Sequence, residues 1–170
     1  MSDTVVERRQ FLSFALAGGQ YGLGILKVKE ILQFETVTRV PGTPPSVRGV
    51  INLRGSVVPV VDLAVKFGLA ETPVTKWTCI LIVESAFGQE KAVVGIVADA
   101  VNAVIELGPD DIEAAPSFGT RVRLEHLLGM GKVDGQFVLL LDLDRVLSAE
   151  ERELAADVEA RITETASARP

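Results

Sequence analysis

Short runs of apolar and β-branched residues, separated by glycine, proline and polar turns, recur along the chain and read as strands. Phe11 to Leu16 ends at Ala17-Gly18-Gly19-Gln20, and Tyr21 to Ile25 follows at once, which predicts a hairpin. From Ile25 to Gln33 the apolar positions are Ile25, Leu26, Val28, Ile31 and Leu32, compatible with one or two helical turns or with an irregular strand. Pro41, Pro44 and Pro45 then enforce an extended connection. Two further runs, Val50 to Leu53 and Val57 to Leu63, flank Asn-Leu-Arg-Gly-Ser, whose Gly55 permits positive φ. They predict a second hairpin with Arg54 at its tip, facing water because the strands are too apolar to do so on both sides. Ala64 to Phe67 reads as a single helical turn stopped by Gly68.

The same grammar continues. Trp77 to Val83 predicts a strand, Glu84 to Lys91 a polar loop, and Ala92 to Val97 another strand. A polar insertion from Pro109 to Arg123 leads to an expected short helix around Leu124 to Leu128. Ser148-Ala149-Glu150-Glu151 is a capping box, and Leu154, Val158 and Ile162 follow at four-residue spacing, predicting a C-terminal helix to about Ile162 with a tail to Pro170.

Set side by side, the halves repeat. Tyr21-Gly22-Leu23 aligns with Val94-Gly95-Ile96, Val28 with Val101, and Ile31-Leu32 with Val104-Ile105, at one constant offset. Gly55 to Leu63 aligns with Gly135 to Leu143 at a slightly larger one. A long unit present twice is not a solenoid; it implies an all-β fold of two small, similar sheets or barrels, each marginal alone and stabilised by burying a face on the other. Residues 1–10 then form a flexible lead. The body spans residues 11–147, halves 11–75 and 76–147, with strand exchange between them left open, and residues 148–170 form the helix and tail. Two packed units leave a seam, and a groove lined by both is a natural docking site.

Composition narrows the chemistry. With 170 residues at 48% hydrophobic the chain can bury a substantial core, while a net charge of −6 and 5% aromatics oppose phosphate contacts and base stacking. No apolar run is long enough to cross a bilayer, and the single Cys79 suits a reducing compartment, so a cytoplasmic protein is expected. Gly18, Gly19, Gly22 and Gly24 lack phosphate-loop spacing. His126 is the only histidine, which excludes the usual triads and metal sites. Cys79 lies in an apolar strand with no nearby base or cation and reads as a buried hydrophobe. Asp62 and Asp142 occupy the same place in each copy, just before a helical turn, and read as N-caps. Asp110, Asp111 and Glu113 read as a solvated loop, not a metal cluster. No catalytic constellation, cofactor site or metal site is predicted.

Five stretches carry a resemblance over about Phe11 to Leu147. They are Ile25-Leu26-Lys27-Val28-Lys29-Glu30-Ile31, Gly49-Val50-Ile51-Asn52-Leu53-Arg54-Gly55, Pro59-Val60-Val61-Asp62-Leu63, Val94-Gly95-Ile96-Val97 and Gly129-Met130-Gly131. In that order and spacing the chain resembles the CheW family of bacterial chemotaxis adaptors. The resemblance implies a pair of five-stranded SH3-like barrels. It also implies a non-enzymatic scaffold bridging the cytoplasmic tip of a methyl-accepting chemoreceptor and the regulatory domain of the histidine kinase CheA, at membrane-associated receptor arrays and without membrane insertion. The family's receptor contact falls on Val28, Glu30, Gly49, Arg54, Cys79 and Val104. Cys79 stands where relatives usually have an aliphatic residue, and Ala103 where they often have a polar one. Other readings are a scaffold serving a non-motility chemosensory pathway and a small-barrel binder of a ligand or nucleic acid.

Overall fold

Three tight turns set the strand pairing. Ala17-Gly18, Arg54-Gly55 and Asp134-Gly135 each place two successive residues at positive φ, near 50° and then near 80° to 88°. That is the pair of left-handed residues a two-residue hairpin needs for its turn to match strand twist. The computed structural model describes residues 9–87, 90–114, 126–148 and 151. In chain order its strands are β1 (Arg9–Leu16), β2 (Gly19–Gly24), β3 (Val28–Gln33), β4 (Val47–Leu53), β5 (Ser56–Val61), β6 (Cys79–Phe87), β7 (Glu90–Ala98), β8 (Ala100–Leu107), β9 (Ile112–Glu113), β10 (Leu127–Val133) and β11 (Gln136–Leu141). Helical turns α1 (Leu63–Lys66) and α2 (Leu143–Val146) follow β5 and β11. The fold is all-β, and among the described residues no helix is long and apolar enough to cross a membrane.

The strands form a six-stranded sheet ordered β8-β1-β2-β11-β10-β9 and a five-stranded sheet ordered β3-β6-β7-β5-β4. Each sheet draws strands from both halves of the sequence. The hairpin β1–β2 opens the first copy but pairs in parallel with β11 of the second; β6–β7 opens the second copy but pairs in parallel with β5 of the first. The repeat is thus reciprocal: each copy gives away its first two strands.

This exchange explains why β6 reads as a continuous apolar run. Ile80 and Ile82 face a small core inside their own sheet with Val58, Val60 and Val97, while Leu81 and Val83 face a larger core shared with Leu12, Phe14, Leu23 and Leu141 of the other sheet. The six-stranded sheet holds a matching small core of Phe11, Leu107, Val138 and Leu140. Strands buried on both faces have no polar alternation to show.

Each sheet curls on itself, and a glycine makes this possible. Thr38, beyond β3, bridges to Val50 of β4 at the opposite edge, with N–H to carbonyl distances of 2.9 and 2.8 Å. Gly49 lies beside the bridge at φ 145°, and a Cβ there would stand 2.2 Å from the Thr38 carbonyl oxygen. Its repeat-mate Gly129 (φ 156°) has the same relation to Glu113, where β9 pairs with β10.

Several expectations shift. The Ile25 to Gln33 segment is both of the alternatives, a 3-10 turn over Ile25–Lys27 and then β3. Glu84 to Lys91 is not a loop: β6 runs on to Phe87 and β7 starts at Glu90, because the pairs Glu84↔Val93 and Ser85↔Ala92 extend the ladder. Trp77 precedes its strand and is exposed. Of the expected helix at Leu124 to Leu128, Leu127 and Leu128 belong to β10 instead, held by pairing with β11; residues 124–125 lie outside the described residues. Most of the C-terminal helix does too, yet its capping box is present: Ser148 N–H donates to Glu151 Oε1 at 2.8 Å and Glu151 N–H to Ser148 Oγ at 3.1 Å. The Glu151 carboxylate is buried, accepts from Lys66 Nζ at 2.6 Å and also from Ser46 Oγ, and so ties the Ser148–Glu151 cap to the first copy.

The two aspartates diverge. Asp62 is fully buried and caps α1 through Ala64 N–H at 3.0 Å, while also accepting from Thr72 N–H, Thr72 Oγ1 and Arg48 Nη1. Asp142 stands at the same position before α2 but makes no side-chain cap; Arg145 Nε lies 3.6 Å away.

Three outcomes follow. Asp62→Asn removes the buried charge that accepts from Arg48, Thr72 and the Ala64 N–H, while Glu71 still pairs with Arg48, and costs about 2 kcal/mol, whereas Asp142→Asn costs less than about 1 kcal/mol, both read by urea unfolding. Gly49→Ala, strained at its φ and colliding with backbone, loses about 3 kcal/mol or more by the same assay. Burial alone raises the Glu151 carboxyl, but Lys66, Ser46 and the Ser148 N–H together hold it below the ordinary glutamate value. The unfolded chain therefore binds the proton more readily, so this contribution is complete above the unfolded value and fades as pH falls through the folded one. Glu151→Gln is accordingly less stable than the parent at pH 7, and the gap narrows below about pH 4.

Candidate functional site

Arg54 sits at the tip of the β4–β5 hairpin, its own φ of 50° part of the turn, so the guanidinium projects from the end of the sheet with 69% of the side chain exposed. Glu30 lies on β3, at the far edge of the same five-stranded sheet, and its Oε1 accepts from Arg54 Nη2 at 2.5 Å. The pair spans the line where the curled sheet brings its edges together. Its hydrogen bond, then its charge, raises the Arg54 pKa, so the cation stays fixed at any physiological pH.

The other four predicted residues each occupy a different setting. Val28 opens β3 and is half-buried, packing onto the shared core. Cys79 opens β6, opposite Gln33 of β3, and belongs to the shared core against which Val101 of β8 packs. It is 7% exposed, and burial raises its pKa. Val28 of β3 and Val101 of β8 thus both pack against the shared core that holds Cys79. Val104 stands on β8 opposite Leu12, 52% exposed, on the other sheet from Arg54. Gly49 is buried beside the Thr38–Val50 bridge and presents no side chain to a partner.

Glu30 and Arg54 therefore touch; Val28 and Cys79 link them to the seam; Val104 marks its other bank. Ile31, repeat-mate of Val104, is exposed in the same way on β3. Sequence reading missed what stiffens this bank. Lys29 Nζ lies 2.5 Å from Glu84, which Lys91 also approaches at 3.3 Å. Lys27 reaches Asp144 at 3.1 Å, and that carboxylate also accepts from Ser85 Oγ and the Ala86 N–H. Burial would raise the Asp144 carboxyl, yet these donors together keep it below its ordinary value. Nothing in the spacing of Lys27, Lys29, Glu84 and Asp144 pairs them, since the contacts exist only once β3, β6 and α2 are packed.

No group of three or more histidine, cysteine or acidic side chains able to hold a metal ion occurs among the described residues. Asp111, read as part of a solvated loop, accepts from the Gly108 N–H at 2.8 Å and caps a 3-10 turn. What the seam offers is an apolar floor with ionic edges. A CheW-like domain model matches residues 10–151. The chain belongs to the CheW family.

A chemotaxis protein CheW of Klebsiella aerogenes is 39% identical over 150 residues, 88% of each chain, and one of Bacillus subtilis is 32% identical over 158 residues, 91% of this chain and 97% of that one. The crystal structure of the scaffolding protein TtCheW from Thermoanaerobacter tengcongensis superposes with a TM-score of 0.74 at 29% identity, covering 89% of this chain and 96% of that one. This CheW-family chain is a chemotaxis adaptor, and a small-barrel nucleic-acid binder is not favoured. The family region runs past Leu147 to include Glu151, whose buried carboxylate is part of the fold.

Because burial both hides Cys79 and raises its pKa, the thiol is expected to react with a disulfide reagent at pH 8 roughly tenfold or more slowly than free cysteine. Denaturant should release that rate; fast labelling of the folded chain would contradict the placement.

Proposed function

We propose that this chain couples the cytoplasmic tip of a methyl-accepting chemoreceptor to the regulatory domain of a CheA kinase, and does so without turning over a substrate. It is cytoplasmic in this reading and reaches the membrane only through receptor arrays. The observation that carries the receptor side is the Glu30–Arg54 pair: an exposed cation hydrogen-bonded at the end of a sheet, beside the exposed Ile31 and the half-buried Val28. A surface of that kind suits an acidic, amphipathic helical hairpin. Apolar burial supplies affinity, and the charge sets register and association rate.

The six residues divide their work. Arg54, Glu30 and Val104 offer side chains to the receptor, Val28 supplies the floor, and Cys79 and Gly49 hold the backbone beneath. Arg54 donates to Glu30 through one guanidinium nitrogen, and a guanidinium carries five N–H donors, so it can bind a partner carboxylate without breaking the pair.

Arg54→Glu is expected to abolish receptor capture in a pull-down while leaving circular dichroism unchanged. The swap Glu30→Arg with Arg54→Glu rebuilds the pair but not the outward cation, so capture should stay lost; restoration by the swap would show that Arg54 acts through Glu30 alone.

A further inference from the structure

The two small cores are built from matching positions but are not filled alike. In the six-stranded sheet, Phe11 is fully buried and Leu107 is driven against Gly131 so closely that a Cβ on that glycine would lie 2.6 Å from Leu107 Cδ1. Phe11 corresponds to Ile80 in the other sheet, since Phe11 pairs with Gly24 and Ile80 with Val97 at the repeat offset. By the same offsets Leu107 corresponds to Phe34 and Gly131 to Ile51.

The five-stranded sheet departs at each of these positions. Ile80 is smaller than Phe11, while Ile51, standing where the other copy has Gly131, packs against the small core. Phe34 lies under the Arg48 guanidinium, 5.2 Å from its ring centroid, and is only half-buried. The closing ladder is shorter too. β9 pairs with β10 over two rungs, Met130↔Glu113 and Gly131↔Ile112, whereas Thr38↔Val50 is a single isolated bridge. Where the next rungs would be, between the Gln33–Thr36 segment and Ile51–Leu53, a cavity of about 370 Å³ opens to the surface, with Leu32, Ile51, Leu53 and Ile80 on its apolar side and Gln33, Glu35, Thr36 and Asn52 on its polar side. One copy is plugged by its own leucine; the other is left open.

We propose that this opening is a socket for a large apolar side chain of the receptor hairpin, an assignment that rests on the adaptor reading above. Two observations point to that occupant. The socket is continuous with the proposed receptor contact: Leu53 directly precedes Arg54, and Leu32 lies two residues beyond Glu30 on β3. Its rim is polar and its end is marked by a fixed, exposed cation, which fits an amphipathic helix carrying an apolar anchor and, one turn away, a carboxylate for Arg54. A preformed pocket with one apolar wall and a polar rim gives an anchoring side chain both burial and orientation.

The test uses the full chain and a soluble helical hairpin from a chemoreceptor cytoplasmic tip as probe. Ile51→Phe fills the socket from within, as Leu107 does in the other copy; it should raise the melting temperature or leave it unchanged, and weaken hairpin binding at least tenfold. In methyl-labelled wild-type chain, the Leu32, Ile51, Leu53 and Ile80 signals should shift on adding hairpin, while those of Ile112 and Leu107 in the plugged copy stay in place. Equal binding by Ile51→Phe with unshifted socket methyls overturns the socket and leaves the adaptor reading standing. No hairpin binding by the wild-type chain overturns the adaptor reading and the socket with it.

Discussion

Everything in this molecule depends on the apolar layer between its two sheets. Leu12, Phe14, Leu16 and Leu23 enter it from β1 and β2, and Leu81, Val83, Val94 and Ile96 from their counterparts β6 and β7. These are the strands each copy lends to the other. A copy of about sixty residues buries too little surface to be secure alone, and exchange makes the shared layer a condition of forming either sheet. The parallel pairs β2–β11 and β5–β7 are the joints through which the copies hold one another.

That constraint also builds the docking surface. Because Val28 of β3 and Val101 of β8, on the outer edges of their sheets, both pack against the shared core, the seam is fixed by the same layer that stabilises the fold. The curl that carries Thr38 onto Val50 brings Arg54 against Glu30, though they belong to strands at opposite edges. Duplication supplied two such ends, and small differences separated their uses. Asp62 is locked into a buried ionic network while Asp142 faces partly into water; one inner core is plugged while its twin is open.

The hairpins, the repeat and the outward Arg54 were legible because each rests on local chemistry: glycine at a left-handed position, apolar runs of strand length, and matched spacing in the two halves. The family motif placed Glu30 and Arg54 as site residues, but their contact is a product of sheet curvature. Strand exchange was not legible, since the pattern of β1 and β2 is the same whichever copy they join. The length of β6 and β7 was missed because Glu84, Ser85 and Lys91 look like loop residues; their strand character comes from the β6–β7 ladder, the Glu84 ion pair to Lys29 and the hydrogen bond that Ser85 Oγ donates to Asp144. The capping box at Ser148 was visible, but not that its Glu151 would be buried against Ser46 and Lys66 of the first copy.

An adaptor differs from a simple binder in holding two partners at once. The measurement that reaches this most directly is size-exclusion chromatography with light scattering on the purified chain mixed with a chemoreceptor hairpin and a CheA regulatory domain. The account predicts a single species containing all three. Mutually exclusive pairs, each partner displacing the other from the chain, would contradict it.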